Sequence, residues 1–170
     1  MILFQVKKRI KTMAKAESKK EFKEKSLYYN RYFSLRYLTA GYFFVNFWWL
    51  IVLAMGGSEV VLLPLALLLL CIPAIWEQKK KFDQGEDNEL PQTKHYYLFQ
   101  VVINILLGIC YFTPAFSFFY PFVDSAAFSF LFMLLLLGLA IGIWSLHHIS
   151  QIERNEDKFF RRYEAYARQK

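Results

Sequence analysis

Two asparagines stand inside otherwise apolar stretches: Asn46 in residues 38–56 and Asn104 in residues 96–114. An amide in hydrocarbon needs a hydrogen-bond partner, and a bond between helices returns about 0.6–2 kcal/mol there. Each sits near the middle of its stretch. The spacing predicts an intramembrane polar pair, Asn46 with Asn104, bridging two helices that run in the same direction. The sharper alternative is a polar floor for a small ligand or an ion path. No Asp, Glu, Lys or Arg lies in these stretches, which argues against a proton-coupled or ion-coupled transporter working alone.

A second pattern is Gly138-x-x-x-Gly142, extended by Ser145. Small residues at this spacing let helix backbones approach closely, so they predict a helix-packing face. Such a face serves either an internal seam or a contact with a partner. His147 and His148 precede Glu153, Glu156 and Asp157, and with His95 a metal site can be drawn. Adjacent histidines on a helix point about 100° apart, so interfacial capping near helix C-terminal carbonyls is the preferred reading. No metal site is predicted. There is no G-x-S-x-G, phosphate-binding glycine loop, H-E-x-x-H or C-x-x-C. The prediction is therefore no catalytic residue and no cofactor. Cys71 and Cys110 fall in apolar runs and read as small hydrophobes.

The elements that must position these residues are four apolar runs: 38–56, 60–76, 96–114 and 126–146. None contains a charged residue. A bilayer core takes roughly 20 apolar residues per helix, within about 17–25, and all four runs fit. The chain is 56% hydrophobic and 19% aromatic, which excludes disorder, and its apolar runs exclude an ordinary soluble domain. The predicted fold is an all-α integral membrane four-helix bundle. Gly56-Gly57-Ser58-Glu59 makes a tight turn, and Pro73 should bend the second helix.

All 21 Lys and Arg fall in residues 1–37, 77–95 and 147–170. The other two connections carry only Glu59 and Asp124. Basic residues collect on the cytoplasmic side. Both termini and the middle connection are therefore expected in the cytoplasm of a bacterial cell membrane. The domains follow: a basic amphipathic arm at 1–37, a membrane domain at 38–146 and an amphipathic tail at 147–170. Residues 22–37 are expected to lie at the membrane surface and bend into the first span. Lys19, Lys20, Lys23, Lys25, Arg31 and Arg36, interleaved with Tyr and Phe, are expected to face anionic lipid. Nucleic acid is not an expected partner. Met13 reads as a plausible start, and a cleavable signal peptide is not expected.

Two resemblances add to this reading. Glu156-Asp157 followed by Tyr163-Glu164-Ala165-Tyr166 is similar to the tail of the isoprenylcysteine and phospholipid methyltransferase membrane family. That resemblance implies S-adenosylmethionine binding through this tail. It spans about 11 residues, lacks the family's Phe-Gly step, and has no Arg-His-Pro-type segment. The stretches Ala14-Lys15-Ala16-Glu17-Ser18-Lys19-Lys20-Glu21-Phe22 and Tyr28-Tyr29-Asn30-Arg31-Tyr32-Phe33, with Gln151-Ile152-Glu153-Arg154-Asn155, resemble small four-span bacterial membrane proteins. Some of these are labelled as a cellobiose phosphotransferase IIA component, and that resemblance brings no chemical motif. The expected function is an accessory or scaffold subunit of a membrane complex, with an unknown membrane partner or a homo-oligomer. The alternatives are a small oligomeric transporter or sugar-transport component, and a methyltransferase-like enzyme.

Overall fold

In the computed structural model the chain is all-helical, with no strand among the described residues. The structure describes residues 2–84 and 88–168; within residues 2–28 most side chains fall outside that description. Helix α1 is Ile2–Met55, α2 is Leu62–Gln84, α3 is Pro91–Cys110, α4 is Ala115–Phe119, α5 is Phe128–Glu153 and α6 is Lys158–Ala167.

The arm and the first apolar run form one helix. Between Ile2 and Met55 there is no proline, and Gly41 is the single glycine, so nothing local interrupts propagation. At 54 residues α1 is roughly 80 Å long, far more than a bilayer requires. It stops at a Schellman closure: Ser58 N–H bonds Leu53 C=O and Gly57 N–H bonds Ala54 C=O, both at 3.2 Å. Gly57 supplies the positive φ, 64°, that this turn needs. The hydroxyl of Ser58 then accepts from Val60 N–H and opens the next helical segment.

Three helices are long and apolar enough to cross a membrane, within Tyr29–Met55, Glu59–Lys81 and Phe128–Ala165. The third expected span, on α3, does not reach that level. Its 20 residues include Gln92, Thr93, Lys94, His95, Gln100 and Asn104. Thr93, Gln100 and Asn104 are buried, while Leu98, Phe99, Val102, Ile105, Leu106 and Ile109 are exposed. Beyond its first turn, where Gln92, Lys94 and His95 are exposed, the polarity of α3 points into the bundle and its outer face is apolar.

Helix α1 packs on α2, α2 on α3, and α3 on α5, while α6 folds back onto α1. One cluster of buried side chains, with Tyr32, Leu35, Ala74, Tyr97 and Ile149, fills the end that carries α6. A second, built on Leu107, Phe116 and Tyr120 with Trp49 and Leu135 against it, fills the other end. The ring of long helices meets closely on three sides. Its fourth side, between α1 and α5, is open along much of its length.

Candidate functional site

The open side forms a lateral groove of about 460 Å³. Its walls are α1 from Tyr37 to Val52 and α5 from Leu131 to Ile141; its floor is α3, and Tyr120 and Phe122 close one end. The lining is mostly aliphatic and aromatic, broken where Asn46 of the α1 wall meets Gln100 and Asn104 of the floor. Asn46 Nδ2 donates to Gln100 Oε1 at 3.1 Å. Asn104 is 7% exposed, and its Nδ2 has no hydrogen-bond partner among the described residues. Gln100 and Asn104 are four residues apart, so α3 presents both on one face.

Glycine makes the groove possible on the α5 side. A Cβ at Gly138 would stand 3.0 Å from Asn104 Nδ2. A Cβ at Gly142 would stand 2.6 Å from Val101 Cγ2 and 3.2 Å from the Tyr42 hydroxyl. Tyr42 OH donates to the Gly138 carbonyl and ties α1 to α5 across the seam. At the far end Trp49 stacks on Tyr120, with centroids 5.4 Å apart, and Trp49 Nε1 donates to Phe119 C=O. Burial pushes the Tyr120 hydroxyl well above its ordinary range, so it stays neutral.

Beside the groove, toward α6, a buried polar clasp closes the bundle. Arg31 is 1% exposed and pairs with Asp157, also 1% exposed, at 2.6 Å. Its Nη2 also donates to Ile152 C=O at 3.1 Å and to Asn155 Oδ1 at 3.0 Å, and its Nη1 to Asn88 Oδ1 at 3.2 Å. The Phe160 ring lies 5.1 Å from the guanidinium carbon. Asn155 takes φ 56°, ending α5 in a second Schellman turn, with Glu156 N–H on Gln151 C=O and Asn155 N–H on Ile152 C=O. The other oxygen of Asp157 accepts from Phe160 N–H and so caps α6. Glu77 of α2 caps the next helix in turn: its carboxylate accepts from Gln92 N–H at 3.1 Å and Thr93 N–H at 2.7 Å.

A chain of hydroxyls and amides joins α1, α2 and α3 behind the clasp. Gln78 Nε2 donates to Thr39 Oγ1 at 2.9 Å, and Thr39 Oγ1 pairs with the Tyr97 hydroxyl at 3.0 Å. All three side chains are buried. Polar groups so enclosed fix the register of the helices that carry them.

Two expectations need correction. Asn46 and Asn104 meet in the groove, yet among the described residues no hydrogen bond joins them. Asn46 is taken up by Gln100, a third amide on the same face of α3 that lies nearer to it in bonding terms. Arg31 does not face lipid: its charge is enclosed by Asp157 and by the end of α5. Lys19 and Arg36 are exposed, while the side chains of Lys20, Lys23 and Lys25 lie outside the described residues. Gly138, Gly142 and Ser145 face inward against α1 and α3, and Ser145 Oγ returns its bond to Ile141 C=O. His95 sits against Pro91 C=O, His147 against Gln151, and His148 stacks on Trp144. Of the tail residues, Glu156 is exposed in the turn between α5 and α6, and the Tyr166 side chain lies outside the described residues. Comparisons with protein-family models, with curated proteins and with solved structures find no match.

Proposed function

We propose that the chain is a four-span protein of the bacterial cytoplasmic membrane with both termini and the middle connection inside, and that it acts by binding, as an accessory subunit of a membrane complex. The fourth span is α3. Its apolar outer face and inward polarity suit a helix held between two neighbours in a bilayer. The observation that carries the binding role is the open groove between α1 and α5. Rim residues Val45, Trp48, Leu134 and Leu137 are exposed apolar side chains, so the groove faces the hydrocarbon. A bundle needed only as an anchor gains nothing from leaving that seam unfilled, since close packing is what holds helices together in lipid.

The test is site-specific photo-crosslinking in native membranes, from Trp48 and Leu134 on the rim and from Leu69 on α2 away from the groove. Rim positions should give discrete adducts with a membrane-embedded molecule or subunit, and Leu69 should give only diffuse lipid labelling. Equal labelling from all three positions would overturn the reading. One observation favours transport as a second reading: Asn46, Gln100 and Asn104 lie along one groove and make a short polar strip. Solute flux in proteoliposomes, lost on Gln100→Leu, would move the conclusion there.

A further inference from the structure

The fold sorts the charges of the tail in a way their number does not show. Residues 147–170 hold six basic and four acidic residues, close to balance. Three of the acids are taken up: Asp157 by the buried Arg31, Glu153 by Lys94 at 2.7 Å and Glu164 by Arg168 at 2.5 Å. Lys158, Arg161 and Arg162 are exposed and form no ion pair among the described residues. At i, i+3 and i+4 they share one face of α6. Phe159, Phe160 and Tyr163 are half-buried on the other side, where α6 packs on α1.

Nothing within the chain accounts for cations in that place. Lys158 opens α6, and Arg161 and Arg162 follow within its first five residues. Positive charge there meets the positive end of the helix dipole and is unfavourable. Asp157, the capping residue, would offset it, but its charge is committed to Arg31. What remains is a patch of three mutually repelling cations, which an anion from outside the chain would relieve.

Depth selects the anion. The Phe160 ring lies against Arg31, which precedes Phe33 by two residues and Tyr37 by six. Phe33 and Tyr37 are exposed, as are Trp76 on α2 and Trp144 on α5. Exposed aromatic side chains at the end of apolar helices are the belt of a membrane boundary. The start of α6 thus stands about 3–9 Å along α1 from that belt. Headgroups occupy roughly 5–8 Å beyond the hydrocarbon core on each side, so α6 lies at the level of lipid phosphates. The basic arm is placed otherwise. Helix α1 runs on unbroken, so Lys19 is roughly 18 Å further along the axis than Arg31, beyond a Debye length of about 8 Å.

Resting on the membrane reading above, and not on the groove, we propose that the outward face of α6 is a docking surface for anionic lipid headgroups. Lys158, Arg161 and Arg162 donate to the phosphate of an anionic phospholipid. The lipid contact of this chain is then made by its last helix rather than by its basic arm.

The experiment titrates the full chain in detergent with phosphatidylglycerol or phosphatidylcholine of matched acyl chains, and bound lipid is counted by native mass spectrometry. The parent chain should take its first phosphatidylglycerol at least about tenfold more tightly than phosphatidylcholine, less so as salt is added. The triple variant Lys158→Gln, Arg161→Gln, Arg162→Gln should lose that preference while keeping its helix, since Gln is a good helix former. Arg161→Lys with Arg162→Lys should retain it, which separates lost charge from lost fold. The arm variant Lys15→Gln, Lys19→Gln, Lys23→Gln should retain it too. Equal affinity of the parent chain for the two lipids would overturn the proposal, as would a preference that survives the changes in α6. A preference lost with the arm changes alone would return the lipid contact to the arm. Displacement of phosphatidylglycerol by inorganic phosphate would make the ligand a soluble anion and overturn the headgroup assignment. The titration does not depend on orientation in a membrane, so its failure strikes the docking surface alone, whereas failure of the topology shows in reporter fusions at the connections.

Discussion

The three amides of the groove make opposite predictions under substitution. Asn46→Leu removes the donor that Gln100 accepts and leaves a buried amide short of a bond, so stability should fall by about 1–2 kcal/mol. Asn104→Leu removes an amide nitrogen that bonds nothing among the described residues and should leave thermal stability unchanged or raise it. In double-variant cycles read by melting in detergent, Asn46 should couple to Gln100 and be nearly additive with Asn104. Strong coupling of Asn46 to Asn104 instead would mean that the two amides bond each other in solution. The glycines divide in the same way. Gly142→Ala drives a Cβ into Val101 and should be unfavourable by about 1–3 kcal/mol, whereas Gly41→Ala meets nothing within 4 Å and should be neutral or slightly stabilising. Much of this was readable from residue types: amides inside apolar runs must be buried, and small residues four apart must allow close approach. Gln100 was equally readable, since it lies in the same run four residues before Asn104. What residue types could not give was which amide each would choose, because that depends on the rotation of α1 against α3.

Among elements, the helix ends are where the chain invests its charges. Asp157 both pairs with Arg31 and caps α6, and Asp157→Asn separates the two roles, since Asn caps nearly as well. Losing the charge leaves Arg31 buried without its counter-ion, which removal of one partner makes unfavourable by about 3–5 kcal/mol. The expected result is release of α6 from α1, seen as faster proteolysis at Arg161 and Arg162 and a lower melting temperature. If Asp157→Asn behaves as the parent chain does, the ion pair contributes little. The existence of the long helices was legible from apolar length, and the turn at Gly57 from its glycines. The clasp was not. Arg31 sits in a run of basic residues whose local chemistry suits a lipid surface, and only the folded tail supplies Asp157, Asn155 and the Ile152 carbonyl. The unbroken junction of the arm with the first span was also hidden, because an interface helix and a continued helix have the same local propensities.

At the scale of the molecule, the bundle reads as an open ring whose basic connections gather at the α6 end. Reporter fusions after Lys20, at Gln84 and after Gln169 should mark the cytoplasm, and fusions at Gly57 and Ser125 the outside. An outside signal at Gln84 would remove α3 as a span and with it the floor of the groove. The charge asymmetry that sets this expectation is plain in the sequence, while the gap between α1 and α5 is not, since it arises from how three close helix contacts leave the fourth.

The clasp also sets an order of assembly during synthesis. Arg31 and Asn155 are 124 residues apart, so the guanidinium is made long before the groups that enclose it. On the proposed topology, until α5 and α6 leave the ribosome that charge waits in water at the membrane surface, and α1 stays free to shift along its axis. The last helices to emerge therefore lock the first one at its final depth. A chain truncated after Glu153 should insert its spans yet leave the surroundings of Arg31 open to water-soluble labelling when tested as Tyr32→Cys, with Arg31 intact, and completion through Ala167 should close that position.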